Sequence, residues 1–294
     1  MTSDAVLLLD GGMGQELFKR GVAQSDRLWG ARALIDAPDT VRAVHREYLA
    51  AGVDVITTNT YSTSQPSLAQ AGLVERFEEL NHIAGKLAVE ARDAADRDVL
   101  IAGSLPPLGG SYRPDQVGDD LWMVDNYRRM AEALAPFVDV LVAETLSTSA
   151  EARAAASAAI SVAKPVWIGW TVDADGGLLG GEAVAEAAAG MKVHGVLANC
   201  APPEAISLAI QDVVATGASR TGGYANGFAG IPEGYDVTTV GIDHLGERSD
   251  LDAQAYAAIV EGWLDEGASL VGGCCQIGPD HIAALRAMID ARGA

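Results

Sequence analysis

The chain has 294 residues, of which 49% are apolar, 20% charged and 5% aromatic, a composition typical of a globular protein that can bury a large core. Its 40 acidic residues outnumber 20 basic ones and give a formal charge of −20, which repels nucleic acid and acidic membrane surfaces. The N-terminal stretch MTSDAVLLLD has no basic leader, and no apolar run is long enough to span a bilayer. Three cysteines do not make a disulfide framework. We therefore expect a cytoplasmic protein with reduced thiols, and with neither nucleic acid nor membrane as a partner.

Eight short apolar runs, distributed from one end of the chain to the other, predict β-strands. Parallel strands that are buried on both faces have this near-continuous apolar character. In chain order the predicted strands are residues 6–9, 53–57, 99–103, 138–143, 166–170, 195–198, 219–224 and 269–272.

Longer stretches with apolar residues at helical spacing lie between these strands. They predict helices over residues 40–51, 67–94, 121–135, 150–160, 203–214, 253–266 and 279–291. Strict alternation of strand and helix indicates right-handed βαβ units. We therefore predict an α/β fold, a (β/α)₈ TIM barrel that forms a single domain over residues 1–294. An open doubly wound sheet is the less favoured alternative, because no predicted strand is followed by GxGxxG.

Polar residues follow each predicted strand, at the end where a TIM barrel carries its active site. The hydrophobic pattern alone defined the strands, yet nearly every polar group that could do chemistry falls on this one rim. Along the chain these residues are Asp10 and Gly11, Thr58 and Asn59, Ser104, Glu144 and Thr145, Thr171, Asn199, and Asn226.

All three cysteines also follow predicted strands: Cys200 follows the sixth, and Cys274 and Cys275 follow the eighth. Three thiolates with an open fourth position are typical of catalytic zinc, whereas structural zinc has four protein ligands. Adjacent side chains of a strand point to opposite faces, so we expect Gly272 and Gly273 to let the backbone turn and bring both neighbouring thiols to one metal. Taken alone, such cysteines would more often be buried core residues or a labile vicinal disulfide.

Five motifs at these strand ends resemble the homocysteine S-methyltransferase family. They are DGGMGQEL from residue 10, TTNTY from 57, ETLS from 144, NCAPP from 199 and GGCC from 272. The resemblance extends from about Asp10 to His281 and implies a zinc-dependent TIM barrel that methylates the thiol of homocysteine to give methionine. It also implies that Cys200, Cys274 and Cys275 are the zinc ligands.

The resemblance implies substrate-binding roles for four further residues. Asp10 and Glu144 match the acidic residues that hold the amino group of homocysteine. The backbone near Gly11 and Thr58 matches the region that receives its carboxylate. Two carboxylates can compensate one ammonium through charge-assisted hydrogen bonds. The alternative for the two acids is that they are solvated loop residues.

The methyl donor is a small molecule that the sequence does not single out. A sulfonium, S-methylmethionine or S-adenosylmethionine, is favoured and betaine is possible, and each of them carries a positive charge that suits an acidic protein and an aromatic face. Trp29, in DRLWGARAL, is the candidate donor-binding residue, and its alternative role is packing over the barrel mouth. Gln276, Ile277 and the YANGF segment depart from common family patterns, which leaves donor contacts open.

Two other classes of function remain as alternatives. A phosphate-binding barrel enzyme could use glycine pairs near the ends of strands seven and eight, Gly222 with Gly223 and Gly272 with Gly273, although thiols and no basic residue follow the second pair. A non-catalytic zinc or redox thiol module could use the cysteines alone. The five histidines do not cluster, and we expect them on the surface or in helices. Residues 227–250 are predicted to form a loop over the rim.

Overall fold

Eight parallel strands form one barrel at the centre of the structure, a computed structural model that describes residues 5–22, 28–232 and 245–293. The strands are β1 Leu7–Leu8, β2 Val55–Thr57, β3 Leu100–Leu105, β4 Val140–Leu146, β5 Val166–Trp170, β6 Gly195–Asn199, β7 Arg220–Ala225 and β8 Leu270–Gly273. Their order is β1-β8-β7-β6-β5-β4-β3-β2. A parallel bridge between Leu9 and Val55 joins β1 to β2 and closes the circle. The single-domain (β/α)₈ TIM barrel predicted from the sequence is confirmed.

Every predicted strand overlaps an observed one. β6, β7 and β8 end one residue beyond their predicted ends, and β3 and β4 continue two and three residues beyond theirs. The pairing of β4 with β5 shifts register between Ala143 and Leu146. Glu144 and Thr145 lie in this irregular stretch, and Thr145 has a positive φ of 60°. The two polar residues therefore belong to β4 itself, at a bulge that changes the direction of side chains near its carboxyl end.

Helices surround the barrel on its outer face. They are α1 Met13–Lys19, α2 Arg32–Asp36, α3 Pro38–Ala50, α4 Gln65–Gln70, α5 Phe77–Asp93, α6 Asp120–Leu134, α7 Ser149–Ser161, α8 Val184–Ala188, α9 Pro203–Ala215, α10 Ala253–Asp265 and α11 Pro279–Gly293. None of the described helices combines the length and the hydropathy needed to cross a bilayer.

The helix predicted over residues 67–94 is divided in two. The first part, α4, ends before Gly72, which has a φ of +70°. A 3₁₀ turn at Val74–Arg76 then leads into α5. A left-handed residue stops a helix, and glycine adopts that conformation without a steric penalty. The prediction of one continuous helix was wrong because the apolar spacing on both sides of Gly72 is compatible with a single helix.

Two apolar layers hold the fold together. The larger lies between the barrel and the helices, where the outward side chains of the strands, such as Leu8, Ile56 and Ile101, are fully buried. The smaller fills the barrel interior and includes Val55, Trp167 and other inward side chains. Successive residues of a strand therefore pack alternately into the two layers. Because the barrel interior is filled by side chains, a ligand can bind only at the rim, at the carboxyl ends of the strands.

The segment predicted as a loop over the rim has both of its ends on the barrel. Phe228 forms an antiparallel bridge with Glu247, and the amide of Gly227 donates to the Cys275 carbonyl over 2.9 Å. Arg248 makes ion pairs with Glu204 and Asp250. The segment therefore leaves and returns beside the cysteine pair, and its central residues, 233–244, lie outside the described part of the chain.

Candidate functional site

The sulfur atoms of all three cysteines meet at the rim of the barrel. The Sγ of Cys200 lies 2.8 Å from that of Cys274 and 3.9 Å from that of Cys275, and all three sulfurs lie within 4.8 Å of one another. The first follows β6 and the other two follow β8. Barrel closure thus brings together thiols that are more than 70 residues apart in the chain.

The three sulfurs fit the donor set of zinc. Two thiolates that bind one tetrahedral zinc at about 2.3 Å lie about 3.8 Å apart. The separation between Cys200 and Cys275 already has this value, and that between Cys200 and Cys274 would have to open by about 1 Å. The group contains these three ligands and no fourth histidine or acid within the described ranges. A site with three protein ligands is typical of catalytic zinc.

The backbone and two side chains fix the position of Cys200. Its φ is +51°, which is uncommon for a residue with a Cβ and marks a position held by its surroundings. The Asn226 side-chain amide donates to the Cys200 carbonyl over 2.7 Å. The Tyr112 hydroxyl lies 2.9 Å from the same carbonyl and 3.1 Å from the Cys200 sulfur. These contacts aim the thiol toward the cysteine pair.

The glycines before the cysteine pair act by close packing and not by turning the chain. A Cβ at Gly272 would lie 2.5 Å from the Leu9 Cβ, and one at Gly273 would lie 2.2 Å from the Ile277 side chain. Both glycines belong to β8. The left-handed residue of the turn is Gln276, with a φ of +64°. The expectation that the glycines make the turn was therefore wrong, although small residues are needed at both positions.

Hydrogen bonds between the thiols favour loss of one proton from the group. The bonds from Cys274 and then Cys275 lower the pKa of Cys200 well below its usual value, in spite of burial. The bond to Cys200 raises the pKa of Cys274. Of the three sulfurs, that of Cys200 is therefore the one whose thiolate form the neighbouring thiols favour. The thiolate is the form that binds a metal ion.

Asp10 and Glu144 lie in the same cavity, and each accepts two hydrogen bonds. The Asp10 carboxylate accepts from the amide and the hydroxyl of Thr57, over 2.7 and 2.8 Å. The Glu144 carboxylate accepts from the Ser104 hydroxyl at 2.5 Å and from the Tyr224 hydroxyl at 3.1 Å. Asp10 is buried and Glu144 is partly buried at the cavity wall. The two acids are therefore not solvated loop residues.

Burial raises the pKa values of both acids. The pKa of Asp10 rises from 3.8 to about 7, although the bonds from Thr57 oppose the change and the nearby Glu144 adds to it. The pKa of Glu144 rises from 4.5 to about 7, against the opposing bonds from Ser104 and Tyr224. Ionised carboxylates are costly in such a site unless a cation compensates them. The pair is suited to a ligand that brings an ammonium group.

Gly11 and Thr58 also line the cavity. A Cβ at Gly11 would lie 2.1 Å from the Ile277 carbonyl oxygen, so no larger residue fits there. The Thr58 amide donates to the Ala102 carbonyl over 2.9 Å, and its hydroxyl accepts from the Ser104 amide over 3.1 Å. The Thr58 backbone amide is therefore occupied within the barrel, and a ligand at this position would meet other donors.

The cavity has the lining of a site for a small polar molecule. The cysteines and both acids line it, and its empty space is about 950 Å³ when the part that opens to solvent is included. No lysine, arginine or histidine lines it within the ranges that the structure describes. Gly222 lies inside β7, where a Cβ would be 2.0 Å from the Leu270 carbonyl oxygen. These features do not favour the phosphate-binding alternative.

Among the lining residues that were not singled out from the sequence are Gln15, Tyr61, Tyr112 and Phe228. Gln15 belongs to the DGGMGQEL motif and lies in α1, a helix too short to show a periodic pattern. Tyr112 belongs to the long connection between β3 and α6 and has a φ of +61°. DGGMGQEL contains Gln15, TTNTY contains Tyr61 and the YANGF segment contains Phe228, whereas no motif in the sequence marks Tyr112.

The structure places the backbone of Trp29 near the site. This residue begins a 3₁₀ turn, Trp29–Ala31, and the following Gly30 lines the cavity. The side chain of Trp29 lies outside the described part of the structure. Its role toward the methyl donor therefore stays a prediction.

Known proteins resemble this chain over nearly its whole length. The sequence model of a family described as homocysteine S-methyltransferase matches residues 7–289. The selenocysteine methyltransferase of Astragalus bisulcatus is 30% identical over 95% of this chain and 90% of its own length, and the homocysteine S-methyltransferase of Escherichia coli is 28% identical over 96% and 94%. The crystal structure of the homocysteine methyltransferase MmuM from Escherichia coli in its metallated form has a TM-score of 0.81 at 29% identity and covers 96% of each chain. The resemblance seen in the five motifs is thus confirmed, and the chain belongs to the homocysteine S-methyltransferase family of methyl-transferring enzymes.

Proposed function

We propose that this protein transfers a methyl group from a small cationic donor to the thiol of homocysteine, with one zinc ion held by Cys200, Cys274 and Cys275, and that the product is methionine. The observation that supports this most strongly is the convergence of three thiols and two buried carboxylates in one cavity. Membership of the homocysteine S-methyltransferase family and the metallated form of MmuM support it as well.

The three cysteines would hold the metal, and its fourth position would accept the homocysteine sulfur. A free thiol with a pKa of about 8.5 is only a few per cent thiolate near pH 7. A zinc ion held by Cys200, Cys274 and Cys275 would favour the thiolate form of the substrate thiol, and the three cysteine thiolates would leave that sulfur nucleophilic. The hydrogen bonds from Asn226 and Tyr112 would keep the Cys200 ligand in place.

The two acids would bind and orient the amino group of the substrate. An ammonium between Asp10 and Glu144 compensates charges that are otherwise unfavourable in this buried site. Charge-assisted hydrogen bonds of this kind are about twice as strong as neutral ones. They would select an amino-bearing thiol and fix the direction in which its sulfur points.

Methyl transfer needs alignment more than it needs acid–base chemistry at carbon. The bond between the methyl carbon and the donor atom breaks, its electron pair stays with the donor, and the homocysteine sulfur forms the new bond. Holding the two reactants in line supplies several kcal/mol, up to roughly 10. The fixed cysteines and the fixed ammonium provide two anchors for one reactant, and the cavity wall limits the approach of the other.

A sulfonium is the donor that we favour, S-methylmethionine or S-adenosylmethionine, with betaine as the remaining possibility. The lining within the described ranges has two acids and no basic side chain, which suits a positively charged donor. Trp29 is the aromatic residue that we propose for contact with the donor cation. Trp29→Ala should raise KM for the donor and leave KM for homocysteine nearly unchanged, whereas equal changes in both would indicate general damage to the rim.

The direct experiment is purification under reducing conditions, metal analysis, and parallel incubation of homocysteine with each of the three donors. We expect one zinc per chain and methionine from one donor, detected by mass spectrometry. Cys200→Ser should abolish both zinc retention and methionine formation. Tight zinc binding without methionine from any donor would favour a non-catalytic zinc or thiol module. Activity without zinc would contradict the proposed mechanism.

A further inference from the structure

Gln15 has a buried side-chain amide that the fold leaves without a partner. The residue is 5% exposed and lies in the first turn of α1, directly after the DGGMG sequence. Neither its Nε2 nor its Oε1 atom makes a hydrogen bond to any residue of the described structure. Buried amides without a partner cost free energy and are rare in native proteins. An amide in this state is suited to a ligand.

The amide lies at the wall of the cavity, next to the cysteine pair. A Cβ built on Gly12 would be 2.7 Å from Gln15 Oε1 and 2.9 Å from the Cys274 carbonyl oxygen. Gln15 itself lines the cavity that also contains Asp10 and Glu144. The pKa of Cys275 is raised, mainly by its bond with Cys200, and the nearby Gln15 amide opposes that change without reaching hydrogen-bond geometry.

The charge distribution of the cavity shows what the amide can bind. An amino acid in the site carries an ammonium, which the two carboxylates compensate, and a carboxylate, which they repel. No basic side chain lines the cavity within the described ranges, so neutral N–H or O–H groups of the backbone and side chains hold the carboxylate. Of the two side-chain amides in the lining, Asn59 already donates to the Gly30 carbonyl over 2.9 Å. The Gln15 amide makes no hydrogen bond of this kind.

We infer that Gln15 is a substrate-binding residue whose side-chain amide donates to the α-carboxylate of the thiol substrate. The inference rests on the proposed function, because it takes an amino-acid thiol as the ligand. It adds a specificity element: Gln15 would select thiols that carry a carboxylate, whereas Asp10 and Glu144 would select thiols that carry an amine.

The test compares two thiols that differ only in the carboxylate. Binding of L-homocysteine and of 3-aminopropane-1-thiol to the zinc-loaded protein is measured by isothermal titration calorimetry, for the wild type and for Gln15→Met. Methionine has a similar volume and no hydrogen-bonding amide. We expect the variant to bind homocysteine about tenfold more weakly, as for loss of one hydrogen bond to a charged group, and to bind the aminothiol within about twofold of the wild type.

Thermal unfolding of the ligand-free protein separates this role from a structural one. Because the Gln15 amide has no partner, Gln15→Met should leave the midpoint unchanged or raise it. The control is Asn81→Leu in α5, which removes a buried amide that is bonded to Thr63 and Phe77, and it should lower the midpoint. A drop in Gln15→Met similar to that of the control would overturn the inference.

The binding outcomes are equally decisive. An unchanged preference for homocysteine in Gln15→Met would overturn the role of Gln15 and leave the proposed function intact. Equal weakening for both thiols together with weaker zinc binding would assign the amide to Cys275 instead, and would also overturn it. Failure of the wild-type protein to bind homocysteine at all would refute the proposed function and this inference together.

Discussion

Glu144 offers the clearest separation between binding of the substrate and binding of the metal. Its carboxylate is held by Ser104 and Tyr224 and is not a member of the cysteine group. Glu144→Ala should weaken homocysteine binding about tenfold or more, because a charge-assisted bond to the ammonium is lost. Zinc content should stay near that of the wild type. Calorimetry and metal analysis on the same sample give both values.

The matched control for this variant is Glu132→Ala on the exposed side of α6. That carboxylate forms a surface ion pair with Arg128, and such pairs contribute little, so homocysteine binding should not change. Complete loss of zinc from Glu144→Ala would show that the role given to Glu144 is mistaken.

The raised pKa values of Asp10 and Glu144 predict how binding depends on pH. With pKa values near 7 in the empty site, both acids take up protons as the pH falls below 7, and a neutral acid no longer compensates an ammonium. Affinity for L-methionine, a thioether that releases no proton on binding, should therefore fall between pH 7.5 and pH 6, by about tenfold for each acid whose ionised form the ammonium requires. A flat profile over this range would contradict the ammonium role of the two acids.

At the scale of residues, the sequence indicated the three cysteines that we propose as zinc ligands and the two acids, but not their surroundings. Cys200, Asp10 and Glu144 could be found because they follow strands and belong to short motifs. Tyr112 could not be found, since its position depends on a left-handed turn in a long connection. Gln15 belongs to the DGGMGQEL motif, but the motif does not show that its amide packs against Gly12. Such positions are set by tertiary contacts that have no local pattern.

Helix α3 contains a histidine that should make the protein less stable in acid. His45 is fully buried, neither ring nitrogen has a partner within the described residues, and burial lowers its pKa from 6.5 to about 4. Below pH 6.5 the unfolded chain binds a proton that the folded chain does not bind until about pH 4. This contribution therefore destabilises the fold increasingly as the pH falls from 6.5 to 4, by up to about 3 kcal/mol.

His45→Leu should remove that part of the pH dependence. The difference in unfolding free energy between wild type and variant, measured by urea denaturation, should shift in favour of the variant on going from pH 7.5 to pH 5. The other titratable groups, including Asp10 and Glu144, are the same in the wild type and the variant, so their contributions cancel in this difference. The same difference at both pH values would contradict the account of His45.

Strand β7 should tolerate no side chain at Gly222, because a side chain there would collide with the neighbouring strand β8, which the cysteine pair follows. A Cβ there would lie 2.0 Å from the Leu270 carbonyl oxygen, and the φ of +154° is unfavourable for other residues. Gly222→Ala should cost about 3 kcal/mol or more and lower zinc retention. Gly262→Ala in α10 is the control, since open space surrounds it, and it should stabilise by about 0.5–1 kcal/mol. Similar unfolding midpoints for the two variants would contradict this view of the β7–β8 contact.

At the scale of elements, long apolar strands and long amphipathic helices could be predicted and short elements could not. Helices α1, α2 and α8 have seven, five and five residues, fewer than two turns, so periodicity cannot define them. The break at Gly72 was missed for a related reason, because one left-handed glycine does not disturb the apolar spacing on either side. Residue spacing reports which face is buried, and it does not report where the backbone changes direction.

In the whole molecule, the site depends on closure of the barrel, so metal binding and folding should be linked. Cys200 and the cysteine pair come from β6 and β8, and their relative position exists only in the folded chain. A ligand that binds only the folded state stabilises it by about 4 kcal/mol at 1,000 times its Kd. Removing zinc with a chelator should lower the unfolding midpoint by several degrees, and adding zinc should restore it. An unchanged midpoint, with metal loss verified, would contradict the linkage.

The most direct test of the whole account is X-ray absorption at the zinc edge of the zinc-loaded protein, with and without homocysteine. We predict three sulfur ligands at about 2.3 Å in the protein alone and four after homocysteine is added. Fewer than three protein sulfurs around the zinc, or an unchanged number after homocysteine binds, would contradict the claim that the three cysteines present an activated metal to the substrate thiol.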